Sequence, residues 1–235
     1  MARDIVDCFF IRIFLLKRAL CTVGCLMAKK IQKRVVPELL EELLDPDPIL
    51  QFQHWLRDAG EAGIPHAEAM TLATVSSDGR PSARVVLMKR VDDRGFVFFT
   101  NYESRKGREL SGNPAAALLF YWEMLGRQVR VEGSVERITA EESDAYFASR
   151  PTENQLSSLA SSQSQPVDRE ALGRRFAELV SIYAGKTIPR PPHWGGYRLE
   201  PTRMEFWQQR VARLNDRILY ERSAQGTWTM MRLAP

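Results

Sequence analysis

The spacing of apolar and polar positions changes twice along the chain. In "VPELLEELL" and "DPDPILQFQHWLRDAGEAG" the apolar side chains recur at helical intervals, so two helices are expected, the second opened by an Asp-Pro cap. From Ala69 the period falls to two. "AMTLATVS", "SARVVLMKRV", "GFVFFT", "AAALLFYWE" and "RQVRVEGSVERI" are rich in β-branched and aromatic residues, and the turn signals "SSDGR", "DDRG" and "SGNP" separate them. Strands this closely connected predict an antiparallel meander or barrel rather than βαβ units. The helical period returns in "TAEESDAYFASRP", capped by Thr139, and in "DREALGRRFAELVSIYAG", ending at Gly185, while the polar "SSLASSQSQ" (157–165) between them reads as a loop. "GGYRLEP", "RMEFWQ", "RILYER" and "TWTMMRL" then predict short strands to the end of the chain. The fold class expected is α+β: a small antiparallel barrel with helices packed outside it.

Composition narrows the picture without redirecting it. A chain of 235 residues with 44% apolar and 26% charged side chains suits one domain plus an extension. The net charge of +4 is mild, and no basic run interleaved with aromatics suggests nucleic acid; a phosphorylated small ligand suits that surplus. The cysteines, Cys8, Cys21 and Cys25, all fall near the N-terminus and have no zinc-ligand spacing. Neither a metal nor a disulfide framework is expected, which points to a reducing compartment such as the cytoplasm. "CFFIRIFLLKRALCTVGCLMA" is apolar, but Arg12, Lys17 and Arg18 interrupt it well short of the ~20 residues of a membrane span. Asp4 and Asp7 do not suit a targeting peptide. Residues 1–35 are therefore expected to be an extension, with Met27 in "MAKK" a natural start, and 36–235 the folded domain.

Candidate chemistry begins on the second strand. In "RVVLMK" the alternation puts Arg84 and Lys89 on opposite faces, with Lys89 beside Val85 and Leu87. A lysine on an apolar face either snorkels from an edge strand or meets an anionic partner. In "FFTNYESRKGREL", Ser104 caps a helix whose first turn carries Arg105 and Lys106 against the helix dipole; this is either a solvated basic turn or an anion site. "AYFASRPTEN" spaces Tyr146, Arg150 and Asn154 four apart, as a phosphate clamp or a surface pair, with Pro151 opposing a continuous helix through Asn154. There is no G-x-S-x-G, G-x-G-x-x-G or Walker loop, and the histidines are His54, His66 and His193. Several anion clamps without acid–base apparatus suggest that a cofactor supplies the reactivity.

In order and spacing, "GRPSARVVLMK", "FFTNYESRKGREL", "RQVRVEG", "YFASRP", "SQSQ", "HWGGYRLEP", "EFWQ", "RLNDR" and the terminal "RLAP" resemble the pyridoxamine/pyridoxine 5′-phosphate oxidases. The resemblance implies an antiparallel FMN-binding split barrel with peripheral helices and a C-terminal dimerisation region, working as a homodimer with flavin between the subunits. It implies oxidation of pyridoxamine or pyridoxine 5′-phosphate at C4′ by hydride transfer to FMN, giving pyridoxal 5′-phosphate, with O2 reoxidising the flavin to yield hydrogen peroxide. Carried over by motif, Arg84, Val85, Val86, Leu87, Phe99, Thr100, Arg105, Lys106, Gln128, Gln163, Ser164, Trp207 and Arg217 would contact FMN. Lys89, Tyr146, Arg150 and Asn154 would hold the substrate phosphate. Arg213, the candidate catalytic residue, would lie against the pyridine ring with Asn215 beside it. This gives Lys89 an anionic partner in place of an edge.

The chain departs from that pattern on the substrate side. Asn215 stands where the family carries histidine in Arg-Leu-His-Asp-Arg, and Asn154 stands where it carries serine. An N-terminal Arg-x-x-Tyr segment is not recognisable in "AKKIQKRVVPELL". Binding of FMN is expected to be intact, and substrate preference or turnover altered. The alternatives are a split-barrel flavoenzyme with another substrate and a non-catalytic binder of FMN or pyridoxal phosphate.

Overall fold

The computed structural model describes residues 38–235; the N-terminal extension expected at 1–35, with its cysteines, lies outside them. Eight strands form one antiparallel sheet: β1 (Ala69–Val75), β2 (Pro81–Asp92), β3 (Gly95–Asn101), β4 (Ala115–Trp122), β5 (Arg127–Arg137), β6 (Trp194–Gln208), β7 (Asp216–Arg222) and β8 (Trp228–Arg232). The order β3-β2-β1-β4-β5-β6 closes on itself through β3–β6 pairing, and β7 and β8 extend the sheet beyond β6. Closure removes the free edges of the first six strands. The fold is an α+β split barrel, as the period-two runs predict.

Inward side chains fill the barrel, among them Phe96, Phe98, Phe120, Val129, Val131 and Phe206, all essentially fully buried. Helix α1 (Pro48–Glu61) closes one end. Asp47 accepts from the Ile49 N–H at 2.8 Å, Pro48 starts the helix, and Ile49, Phe52, Trp55 and Ala59 form its buried stripe. The Phe52 ring lies 4.9 Å from Phe96 and 4.8 Å from Phe120, and Trp55 meets Phe206 edge-on at 5.1 Å. A second core joins Phe147, Leu156, Leu179, Ile188 and Trp194 where α3 (Ala140–Ser149), α4 (Thr152–Ala160) and α5 (Arg169–Ile182) cover β6.

Three expectations need correction. "VPELLEELL" yields only a 3-10 turn at Glu41–Leu43 among the described residues. Pro46 and Pro48 favour extended backbone before them, and Arg232 takes the Leu39 carbonyl and the Glu41 carboxylate into side-chain bonds. The polar stretch 157–165 is half helix: α4 runs to Ala160 because Leu156 and Leu159 pack on the second core. "GGYRLEP" and "RMEFWQ" are one continuous strand, β6, whose register against β5 shifts at Thr202, beside Pro201. In keeping with the reading that sets an edge aside, β2 pairs with β1 and β3 on both sides, so Lys89 is not on an edge strand. It is the extra residue of a bulge, since Met88 faces Phe98 and Arg90 faces Val97.

Candidate active site

A cavity of 1180 Å³ opens between β2, β3, the start of α2 (Arg105–Gly112), and the α3–α5 layer. Its described lining includes Arg84, Lys89, Arg105, Lys106, Arg150 and Arg169, and no aspartate or glutamate. Single-ligand sites span roughly 300–1,000 Å³, so this one has room for more than a single small molecule. The cations form two groups.

The inner group is built on the β3–α2 junction. Ser104 caps α2 by accepting from the Gly107 N–H at 3.3 Å. Gly107 has no alternative here, because a Cβ would sit 2.1 Å from the Tyr102 carbonyl oxygen; that close approach sets the helix against the strand. Lys106 is buried, and its ammonium donates to Thr100 Oγ1 at 3.1 Å, Ser104 Oγ at 3.4 Å and Gln163 Oε1 at 3.3 Å, all neutral oxygens. Burial lowers its pKa, the nearby Arg84 charge lowers it further, and Glu109 opposes both. Glu109 lies behind the wall, where its carboxylate takes Arg105 Nε at 2.8 Å, Arg84 at 3.1 Å, Thr74 Oγ1 at 2.5 Å and Ser82 Oγ at 2.6 Å. Burial pushes the Glu109 carboxyl up, but the hydrogen bonds from Ser82, Thr74, Arg105 and Arg84 outweigh it and bring its pKa down to about 2. Arg84 also donates to Thr74 Oγ1 at 2.6 Å and the Leu72 carbonyl at 3.1 Å. Arg84, Arg105 and Lys106 against this one carboxylate leave two positive charges facing the cavity. Phe99, Thr100, Gln163 and Ser164 line the same region, with Ser164 in the left-handed conformation at φ 69°.

The outer group joins Lys89, Tyr146 and Arg150. Lys89 lies beside Val85 and Leu87 on an outward face that is exposed, Val85 by 69%. Among the described residues no carboxylate lies within 4 Å of Lys89 or Arg150. Arg150 lies 4.6 Å over the Trp194 ring and donates to Ser158 Oγ at 2.8 Å. Tyr146 stacks on Phe99 at 3.9 Å and Phe99 on Trp194 at 5.4 Å. Gly196 faces Phe99 across the β3–β6 ladder, and a Cβ there would stand 2.9 Å from the Phe99 ring, so only glycine admits this stack. Burial raises the Tyr146 pKa against the pull of Arg150, which keeps the phenol a proton donor.

The remaining sequence candidates lie elsewhere. Pro151 ends α3 and begins α4, so Asn154 is one helix further on than Tyr146; it is exposed and does not line the cavity. Gln128, Trp207 and Arg217 stand in one row across β5, β6 and β7, on the outward face of the sheet and outside the cavity lining. Arg217 pairs with both oxygens of the buried Glu205 at 2.8 and 3.2 Å, and Arg130 takes the same carboxylate at 2.7 Å. Donating to Glu205 raises the Arg217 pKa above its ordinary value. Arg213 lies exposed in the 209–215 loop, where it and Ala212 have φ of 62° and 56°. Asn215 closes that loop: its Oδ1 accepts from the Arg210 N–H at 2.9 Å. Sequence reading missed Glu109, Ser158 and Trp194. The four-residue step from Arg105 to Glu109 was a usable signal, whereas the contacts of Ser158 and Trp194 with Arg150 arise only in the fold.

Comparison with known proteins agrees with this geometry. The family described as "Pyridoxamine 5'-phosphate oxidase" matches residues 56–183, and "Pyridoxine 5'-phosphate oxidase C-terminal dimerisation region" matches 194–235. A protein of Rubrobacter xylanophilus named pyridoxine/pyridoxamine 5′-phosphate oxidase is 57% identical over 198 residues, covering 84% of this chain and 91% of that protein. A Cupriavidus necator protein of the same name is 54% identical over 86% of this chain and 95% of its own length. Among solved structures, PhzG from Burkholderia lata in complex with tetrahydrophenazine-1-carboxylic acid superposes with a TM-score of 0.80 at 39% identity, covering 85% of this chain and 99% of that one. A pyridoxamine 5′-phosphate oxidase-related, FMN-binding protein of Nostoc punctiforme shares the fold, with a TM-score of 0.67 at 18% identity over 82% and 100% of the two chains. With one family matched across most of the barrel and its dimerisation region across the last three strands, the chain belongs to the pyridoxamine 5′-phosphate oxidase family.

Proposed function

We propose that the chain is an FMN-dependent oxidase that converts pyridoxamine or pyridoxine 5′-phosphate to pyridoxal 5′-phosphate. The observation that carries this reading is an acid-free cavity with two separate cationic groups, each with a net charge suited to one phosphate. The inner group fits the FMN phosphate: Arg105 and Lys106 would meet it, with Thr100, Gln163 and Ser164 completing the hydrogen bonds and Arg84 adding charge from its Glu109 anchor. A buried lysine bonded only to neutral oxygens gains most from an arriving anion. FMN, when bound, supplies the two-electron acceptor, which O2 regenerates with release of hydrogen peroxide.

The protein contributes position. Lys89, Tyr146 and Arg150 would hold the substrate phosphate, and Val85, Val86 and Leu87 would shape the wall between the two anion sites. Aligning the reacting groups supplies at most ~7–11 kcal/mol of barrier reduction. Gln128, Trp207 and Arg217 would reach the flavin from a second copy of the chain, whose Arg213 would face the substrate ring. The matched dimerisation region supports a homodimer, and exposed Val85 and Tyr121 give the outward sheet face the apolar surface that an interface needs.

A second reading follows from the likeness to PhzG, whose structure holds a phenazine acid rather than a phosphate ester. Lys89 and Arg150, with no carboxylate within 4 Å among the described residues, favour the phosphorylated substrate. The discriminating experiment is anaerobic reduction of the FMN-loaded protein followed by flavin absorbance. Loss of absorbance with pyridoxine or pyridoxamine phosphate supports the oxidase. Loss only with other donors points to a different substrate, and no loss with any donor points to a binding protein. A protein that takes up no FMN sinks all three.

A further inference from the structure

We infer that Ser158, one helical turn beyond Asn154 on α4, supplies the hydroxyl of the substrate-phosphate clamp in this chain. The inference rests on the proposed function and names a residue for its outer site. Asn154 is exposed and off the cavity wall, whereas Ser157 and Ser158 both line it. Ser158 is four residues on, so it lies on the same helix face one turn along. Its Oγ accepts from Arg150 at 2.8 Å, which places the hydroxyl beside the guanidinium that would meet the phosphate.

The hydroxyl has a proton to offer. At present Ser158 Oγ donates to the Asn154 carbonyl at 3.0 Å, and that carbonyl also accepts from Ser157 Oγ at 3.0 Å. Rotating the hydroxyl about the Cβ–Oγ bond redirects the proton to a phosphate oxygen, keeps Oγ beside Arg150 and leaves the Asn154 carbonyl with a partner. Ser158 also fixes Arg150 laterally while Trp194 supports its face, so the guanidinium is aligned before the ligand arrives. Asn154 would act through its backbone carbonyl and not through its amide.

The test compares Ser158→Ala, Ser158→Thr and Asn154→Ala in the FMN-loaded protein. It measures KM and kcat with pyridoxine 5′-phosphate and with unphosphorylated pyridoxine, and the Kd of pyridoxal 5′-phosphate by calorimetry. Ser158→Ala is expected to raise both KM for the phosphate ester and Kd about 10-fold, with kcat within about 2-fold. Ser158→Thr should keep most of the affinity, and Asn154→Ala should cost several-fold less than Ser158→Ala. If Ser158→Ala harms phosphorylated and unphosphorylated ligands equally, Ser158 is only structural and the inference is overturned. A larger effect at Asn154 overturns it too. Should the wild type bind pyridoxal phosphate but reduce no flavin with either vitamer phosphate, the proposed activity fails, while the calorimetry still decides the role of Ser158.

Discussion

The inner and outer cation groups of the cavity each combine a basic residue of β2, Arg84 or Lys89, with at least one basic residue from a later segment, yet they are built differently. The inner group carries its own counter-ion: Arg84 and Arg105 both bond to Glu109, which is buried behind the wall and tied to Thr74 and Ser82. Among the described residues the outer group has no carboxylate within 4 Å, and Arg150 rests on an indole and a serine hydroxyl instead. A buried carboxylate makes the inner group rigid and stable before any ligand binds. An acid-free outer group keeps its charge for a ligand that must arrive and leave. This is the division expected between a resident cofactor and a substrate that turns over.

Removing the counter-ion should have the largest effect. Glu109→Gln is expected to lower stability by about 3 kcal/mol at neutral pH, because a buried pair loses one partner; thermal melts read this directly. The pH dependence has a definite sign. Glu109 titrates near 2 in the fold against an ordinary 4.5, so its contribution is complete above pH 4.5 and is lost as pH falls toward 2. That part of the acid sensitivity should vanish in the variant, and an unchanged melting profile from pH 5 to 2 would contradict the role given to Glu109.

Next in size, Lys106→Met should weaken FMN binding by about 100-fold by calorimetry, since a buried charge–phosphate contact is lost. The outer group should respond separately: Lys89→Ala is expected to raise KM for pyridoxine 5′-phosphate by about 10- to 30-fold with flavin content unchanged. If Lys89→Ala strips FMN as effectively as Lys106→Met, the two groups are one site and the comparison collapses. The smallest effect on stability belongs to Asn215, whose Oδ1 accepts from the Arg210 N–H within the 209–215 loop. Asn215→Ala should cost about 1 kcal/mol and speed tryptic cleavage after Arg213, as the loop loses one hydrogen bond. Asn215→Asp retains the acceptor oxygen and should cleave at the wild-type rate.

The barrel was legible because period-two alternation marks which side chains face inward, and the helix caps at Asp47, Ser104 and Thr139 are local signals that need no tertiary information. What was hidden depended on distant partners. Lys89 shares its face with Val85 and Leu87 as the alternation predicts, but that face is open, and the bulge at Lys89 is visible only in the pairing with β3. The bond that the Asn215 side-chain oxygen accepts from the Arg210 N–H was likewise hidden, because it depends on the turn that the 209–215 loop makes. Glu205 gave no sign of its importance, because Arg130 and Arg217 reach it from the neighbouring strands on either side. The inner cations were recognisable from their place in a helix first turn. The counter-ion that stabilises them was read past, although it lies four residues away.

The placement of Arg150 over Trp194 also equips the site with an optical reporter. Of the five tryptophans in the chain, Trp194 is the one that lines the cavity, and a guanidinium 4.6 Å from its ring biases the electronic environment of the indole. An anion drawn to Arg150 would change that bias and shift the emission of Trp194 without any added dye. Comparing the protein with its Trp194→Phe variant would isolate this one signal and allow phosphate arrival to be followed in real time, in the absence of turnover.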